Sequence, residues 1–145
     1  MRSTIRISTA QWALLLASWL IALVSTLGSL FFSDVMGLPP CLLCWYQRIF
    51  MFPLVLLLAM NLFAMDVEGV KYSLLTAVAG WAVALYHFLL SLGLIPQGMQ
   101  PCGVELSCAT VQWQLAGFIT IPLLSLAAFT AIVALLLIAL KGRTP

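Results

Sequence analysis

Residues 37–60 read GLPPCLLCWYQRIFMFPLVLLLAM and decide the fold of the chain. Two prolines and a Cys-x-x-Cys pair open this stretch, Arg48 follows, and no further charge occurs until Asp66. Proline is tolerated at the start of a helix but cannot extend it backwards, so we expect the helix to begin near Cys41. The stretch therefore predicts a membrane helix with two thiols in its first turn.

The composition requires a bilayer as the main solvent. The chain has 145 residues, of which 64% are hydrophobic and only 7% are charged. A water-soluble domain of this length cannot hide so much apolar surface, and a membrane-spanning helix needs roughly 20 apolar residues. The charge-free runs predict helices at about residues 10–32, 45–64, 71–93 and 117–140. We expect an all-α integral membrane four-helix bundle that forms a single domain over residues 1–145.

The first apolar segment has a rival interpretation as a cleaved signal peptide. The start MRSTIR suits the charged region of such a peptide. The apolar run that follows is too long, and no small-residue cleavage site closes it before SDVMG. The segment is therefore predicted to be a helix of the bundle.

The basic residues predict the orientation of the bundle. Five of the six Lys and Arg residues fall before helix one, between helices two and three, or after helix four. They are Arg2, Arg6, Lys71, Lys141 and Arg143. Since basic residues mark the cytoplasmic side, both termini are expected in the cytoplasm. The net charge of +2 is thus a topology signal and gives no indication of nucleic-acid binding.

All four cysteines fall in the two predicted outer loops, at about 33–44 and 94–116. They are Cys41, Cys44, Cys102 and Cys108. Outside the cytoplasm disulfides are the default, and four cysteines allow three pairings. Three interpretations compete: two structural disulfides, a zinc site made of thiolates, or two redox-active pairs that exchange. A Cys-x-x-Cys disulfide closes too small a loop to stabilise much, which favours a redox-active or metal-binding pair. The oxidising location and the wider spacing of Cys102 and Cys108 argue against zinc.

Two further polar residues lie near the thiols. Arg48 is four residues beyond Cys44 on the same helical face, and a cation near a helix-start cysteine favours a reactive thiolate. The alternative is that Arg48 only anchors the helix at the interface. His87, the sole histidine, is predicted near the outer end of helix three. It could share a pocket with Arg48, or simply hydrogen-bond to a neighbouring helix.

The order of these segments resembles a known family. The chain resembles the bacterial disulfide-bond formation proteins of the DsbB family, especially the short BdbC-type members. The segments that carry the resemblance are, in order, ASWLIALVSTLGSLFFS, PPCLLCWYQR, YHFLLSLG, PCGVELSC and GFITIP. The resemblance spans nearly the whole chain.

The resemblance implies a thiol:quinone oxidoreductase of the bacterial cytoplasmic membrane. Such an enzyme reoxidises a DsbA-like thioredoxin-fold oxidase outside the cytoplasm. Electrons would pass from this partner to Cys102 and Cys108, then to Cys41 and Cys44, and then to ubiquinone or menaquinone. Cys102 would form the mixed disulfide with the partner, Cys108 would pair with Cys41, and Cys44 would be released as a thiolate. Arg48 and His87 would bind the quinone; no metal is expected.

Two alternatives remain at this point. An enzyme similar to vitamin K epoxide reductase would also combine a membrane bundle, a quinone and a Cys-x-x-Cys pair. A non-enzymatic membrane scaffold with two structural disulfides would show inert bridges that mild reductant does not open.

Overall fold

The computed structural model describes residues 8–64, 68–96, 114–115 and 119–142, and within them the fold is a bundle of helices. The helices are α1 (Thr9–Leu30), α2 (Leu42–Ala64), α3 (Glu68–Ser91) and α4 (Ile121–Lys141). A π-helical turn, Phe31–Val35, continues α1, and the short strands β1 (Gln114–Leu115) and β2 (Ile119–Thr120) pair antiparallel before α4. All four helices are long and apolar enough to cross a membrane. The predicted all-α membrane bundle is confirmed.

The helix ends follow from local side-chain chemistry. Ser8 caps α1 in a capping box with Gln11. Thr120 caps α4 by accepting a hydrogen bond from the Leu123 N–H, and Pro122 occupies the first turn, where proline is tolerated. Helix four consequently begins at Ile121 rather than at the predicted 117, and Pro122 lies in its first turn.

The four helices form a closed ring of antiparallel neighbours. Each helix packs against the next, and α4 packs against α1. At one end the Gln11 side chain donates to the Ala139 carbonyl at 3.0 Å, and Asn61 donates to Ser73 at 2.8 Å. At the other end Arg48 joins the start of α2 to the end of α1. Such interhelical hydrogen bonds satisfy polar groups that have no water to bind.

The core lies on the axis of the bundle, and the outside is apolar as well. Fully buried side chains of the core are Leu15, Leu54, Leu58, Phe129, Ile132 and Leu136. Large hydrophobic side chains also lie on the outside, such as Phe63 at 88% exposure and Leu75 at 70%. In water this surface would be a large aggregation-prone patch, whereas lipid solvates it.

Gly80 permits the close approach of α3 to α4. A Cβ atom at this position would overlap the ring of Phe129, which is itself fully buried. We expect Gly80→Ala to destabilise the protein by about 2 kcal/mol, because overpacking a filled core outweighs the gain in helix propensity. The measurement is the thermal unfolding midpoint in detergent, followed by circular dichroism.

Gly28→Ala is the matched control for this prediction. Gly28 also lies within a helix, but a Cβ there would meet nothing within 4 Å. It should leave the midpoint unchanged or raise it, since alanine favours the helix. Equal midpoints for the two variants would contradict the proposed role of Gly80.

Candidate functional site

The start of α2 places two cysteines at one end of the bundle. Pro39 and Pro40 precede the helix, and the Cys41 carbonyl accepts the first helical hydrogen bond, from the Trp45 N–H at 3.1 Å. The Cys41 sulfur accepts a second one, from the Cys44 N–H at 3.3 Å. Cys41 thus caps the helix with its sulfur, in the position where serine or aspartate usually provides an oxygen. This cap fixes the sulfur among unpaired backbone N–H groups, which favour negative charge.

The two thiols lie in contact with each other, and Cys41 also contacts His87. The Sγ atoms are 2.8 Å apart, and Cys41 Sγ lies 3.8 Å from His87 Nε2. Cys41 is buried, while Cys44 is half-buried. The two sulfur atoms and a ring nitrogen of His87 all lie within 4.8 Å of one another. Residues from α3 and from the start of α2 therefore form one compact polar cluster.

The surroundings of Cys41 favour its thiolate. The hydrogen bond from the Cys44 thiol is the largest cause, and with the hydrogen bond from His87 it lowers the pKa of Cys41 to about 4, against the opposing effect of burial. Cys41 precedes the membrane-spanning segment of α2. In the reduced pair, these hydrogen bonds accordingly favour negative charge on Cys41.

This charge distribution predicts the pH dependence of Cys41 alkylation. A lowered pKa means that the thiolate persists as the pH falls and is lost only below about pH 4, whereas an ordinary thiol loses it below its pKa of 9.0. In a Cys102→Ser/Cys108→Ser background, the rate of iodoacetamide reaction at Cys41, followed by mass spectrometry, should stay high at pH 6. Cys44→Ala removes the main hydrogen bond and should move the midpoint towards 9.0. A midpoint near 9.0 with Cys44 present would contradict the assignment.

Arg48 is held at the edge of this cluster by α1. Its Nε donates to the Ser29 hydroxyl at 2.7 Å, and Nη2 donates to the Ser29 carbonyl at 2.8 Å. Its guanidinium also lies 5.5 Å from the centroid of the Trp45 ring, a cation–π distance. These contacts fix the guanidinium in place, and its remaining N–H groups are able to donate to a ligand.

A cavity of about 430 Å³ lies between α1, α2 and α4, next to the thiols. Its lining is mostly apolar, with residues such as Phe32, Met51 and Phe52. Cys44 and Arg48 supply polar groups at its wall. Ligand pockets typically measure roughly 300–1,000 Å³ and combine an apolar lining with a few polar groups. The cavity therefore suits an apolar ligand that carries a hydrogen-bond acceptor.

The structure brings several of the predicted site residues together. Cys41, Cys44 and His87 form the cluster, and Arg48 lines the cavity that Cys44 shares. Cys102 and Cys108 lie outside the described residues.

Two residues of this region, Gln47 and Ser29, were not predicted as site residues. Gln47 lines the cavity and hydrogen-bonds to His87, and Ser29 holds Arg48. The signal for Gln47 was a polar residue in an apolar run, one turn after Cys44.

The fold and this region define a multi-pass membrane protein with a pair of thiols at one end of its bundle. Comparison with known families then places it: the chain belongs to the DsbB family, since the family model "Disulfide bond formation protein DsbB" matches residues 9–139. It is thus a bacterial membrane protein of disulfide formation.

Curated relatives are similar over nearly their full length. A "Probable disulfide formation protein" of Metapseudomonas resinovorans is 48% identical over 138 residues, which cover 94% of this chain and 95% of the relative. "Disulfide bond formation protein C" of Bacillus subtilis is 44% identical over 131 residues, covering 89% and 93%. A "Probable disulfide formation protein" of Chlamydia trachomatis is 40% identical over 127 residues, covering 87% and 91%. No solved structure matches the chain.

Proposed function

We propose that the protein is a thiol:quinone oxidoreductase that reoxidises a DsbA-like thioredoxin-fold dithiol oxidase. The observation that carries the proposal is the meeting of Cys44 and Arg48 on one apolar cavity within the membrane-spanning bundle. A thiol, a fixed cation and an apolar cavity are the elements that reduction of a membrane quinone requires. Family membership supports the thiol chemistry, since relatives are named for disulfide formation.

The cavity residues fit a quinone. The apolar lining matches a quinone ring and its isoprenoid tail, and the volume of about 430 Å³ accommodates a ring of this kind. Arg48 would hold a ring carbonyl, because its guanidinium is oriented by two hydrogen bonds to Ser29. The quinone, when bound, accepts the two electrons and two protons that leave as a dithiol closes to a disulfide. Ubiquinone and menaquinone both meet these requirements.

The protein's own residues prepare the thiol pair for this reaction. Arg48 places positive charge on the cavity that Cys44 lines, which stabilises negative charge on sulfur or on a ligand oxygen. Cys41 is more buried than Cys44; it lies outside the cavity lining and contacts His87. The predicted part of His87 in quinone binding stays a prediction, and its polar contacts in the structure are with Cys41 and Gln47.

The order of disulfide exchange is proposed from the family resemblance. A partner thiolate attacks Cys102 of the Cys102–Cys108 disulfide, and Cys108 leaves as a thiolate. Cys108 attacks Cys41 of the Cys41–Cys44 disulfide, and Cys44 leaves as a thiolate beside Arg48. The second thiol of the partner then closes the partner's disulfide and releases Cys102. The Cys102 thiolate attacks Cys108 of the Cys41–Cys108 disulfide, which re-forms the Cys102–Cys108 bond and releases Cys41 as a thiolate. The net result is one oxidised partner and a reduced Cys41–Cys44 pair.

The proposed location of the thiols is the extracytoplasmic side of the cytoplasmic membrane. Lys71 lies near the start of α3 and Lys141 at the end of α4, and both belong to the bundle end opposite Cys41. Because basic residues favour the cytoplasmic side, the cysteine end then faces outwards. Both termini would lie in the cytoplasm, and the thiols would meet a partner in an oxidising compartment.

The test is a quinone-reduction assay with purified protein in detergent and a reduced thioredoxin-fold dithiol protein. Short-chain ubiquinone and menaquinone analogues are offered separately, and quinone absorbance and partner thiols are followed together. The proposal expects equal amounts of quinone and partner dithiol to be consumed with at least one analogue. No consumption with either one, while both disulfides stay intact, would instead support a scaffold with structural bridges.

A further inference from the structure

Three buried side chains form a line from α2 to α3 and back to the start of α2. Gln47 Nε2 lies 3.1 Å from His87 Nδ1, and His87 Nε2 lies 3.8 Å from Cys41 Sγ. All three are almost fully buried, with exposures of 7%, 2% and 5%. Buried polar side chains in a membrane bundle are costly unless they are paired, so this line is a built feature of the site.

The hydrogen-bonding capacity of each group decides where the proton of His87 resides. An amide nitrogen only donates, so the contact with Gln47 makes His87 Nδ1 an acceptor. A neutral imidazole whose Nδ1 accepts carries its proton on Nε2. That Nε2–H then faces the Cys41 sulfur.

The sulfur of Cys41 is independently in an acceptor position. It accepts the backbone N–H of Cys44 at 3.3 Å and lies 2.8 Å from the Cys44 thiol. If the Gln47 amide were turned, its oxygen would require a proton on His87 Nδ1. The lone pair of Nε2 would then face an electron-rich sulfur, which is repulsive unless Cys41 is protonated. With Nε2–H towards the sulfur, the Gln47 amide N–H donates to Nδ1 and the Nε2–H donates to Cys41 Sγ, so each donor has an acceptor.

From this geometry we infer that Gln47 is a positioning residue: it fixes the neutral His87 ring as its Nε2–H tautomer, so that the ring donates to the Cys41 thiolate. The part that the Cys41 thiolate plays in disulfide exchange rests on the function proposed above, whereas the assignment of the His87 tautomer does not. A neutral donor of this kind stabilises the Cys41 thiolate without adding a charge that must itself be buried.

Among the residues that the structure describes, few other titratable groups surround His87. Cys41 and Cys44 face it from the start of α2, Arg48 lies one turn further along α2, and Tyr86 is its neighbour on α3. The spans of α1 and α4, up to Leu140, hold no titratable side chain. The structure thus shows Gln47 as the side chain that hydrogen-bonds to His87 Nδ1, on the side of the ring away from Cys41.

The sole histidine makes the tautomer directly measurable. Protein labelled with ¹⁵N-histidine gives one pair of ring nitrogen signals, so no assignment to a residue is required. Couplings to the carbon-bound ring protons distinguish the two atoms, because Nε2 couples to both protons and Nδ1 strongly to only one. In reduced protein in detergent at neutral pH, we expect a protonated Nε2 and an unprotonated Nδ1. A protonated Nδ1, an imidazolium, or an equal mixture of both tautomers would overturn the inference. This readout needs neither quinone nor partner, so it stands apart from the test of the proposed function.

Variants at position 47 separate positioning from simple packing. Gln47→Leu keeps the size but removes the donor, and should yield mixed tautomers. Alkylation of Cys41 should be about fivefold slower below the midpoint of about pH 4, where the thiolate fraction limits the rate. Gln47→Glu supplies an acceptor instead, and should place a proton on Nδ1. Alkylation is measured in the Cys102→Ser/Cys108→Ser background.

Gln11→Leu is the matched control. It removes another buried glutamine that donates across helices, to the Ala139 carbonyl at the opposite end of the bundle. It should lower the unfolding midpoint but leave the ring signals and the alkylation rate unchanged. If Gln47→Leu behaves in the same way as Gln11→Leu, Gln47 has only a structural role.

Discussion

Replacing Cys44 with serine will reduce quinone consumption to the rate seen without protein, while the four helices still form. A serine hydroxyl cannot close a disulfide with Cys41, nor can it carry the negative charge that Arg48 is placed to stabilise. Oxygen and sulfur are similar enough in size that the half-buried position 44 tolerates the change. The measurement is quinone absorbance over time with a reduced thioredoxin-fold partner present in excess.

The control for this variant is a hydroxyl change at the same end of the bundle. Ser91 donates only to its own helix, at the Phe88 carbonyl, among the contacts that the structure describes. Ser91→Ala should therefore retain the activity of the parent protein. Near-normal turnover in Cys44→Ser would remove Cys44 from the mechanism, whereas equal losses in both variants would indicate damage to the fold.

Replacing Arg48 with alanine will raise the KM for the quinone analogue about thirtyfold, corresponding to the loss of one charge-assisted hydrogen bond of about 2 kcal/mol. The guanidinium lies on the cavity wall, held by Ser29, and so acts on whatever occupies the cavity. The KM for the protein partner should change much less. Both constants are obtained by varying one substrate while the other is saturating.

Arg48→Lys separates charge from geometry in this prediction. Lysine keeps the positive charge but lacks the planar fork that donates twice to Ser29, so it should recover only part of the quinone affinity. A defect confined to partner affinity in Arg48→Ala would contradict the cavity assignment. Full recovery by lysine would show that only the charge matters.

The fold followed from the sequence because the bilayer imposes a simple rule. Charge-free runs of sufficient length become helices, since lipid offers no other partner for the backbone. The start of α4 was misplaced because the segment before it carries no charge to mark the boundary. Hydropathy alone extends the apolar segment back to residue 117, whereas the helix begins where Thr120 caps it and Pro122 fits the first turn.

The candidate site could be predicted from the sequence only in part. The helix-start position of Cys41 and Cys44 could be predicted, since prolines and spacing act locally along the chain. Gln47 and Ser29 could not be assigned partners, because their hydrogen bonds join residues 40 and 19 positions apart. Spacing tells which residues share a helix face, but it does not tell which neighbouring helix that face meets.

Cys41 gives the protein a mechanical link between chemistry and secondary structure. The same sulfur that would exchange electrons also closes the first turn of α2 by accepting the Cys44 N–H. Drawing this sulfur away to bond elsewhere frees that N–H and loosens the turn that carries Cys44. In the proposed exchange, each transfer of Cys41 into a disulfide with Cys108 would therefore open this hydrogen bond, and its release would allow the bond to re-form.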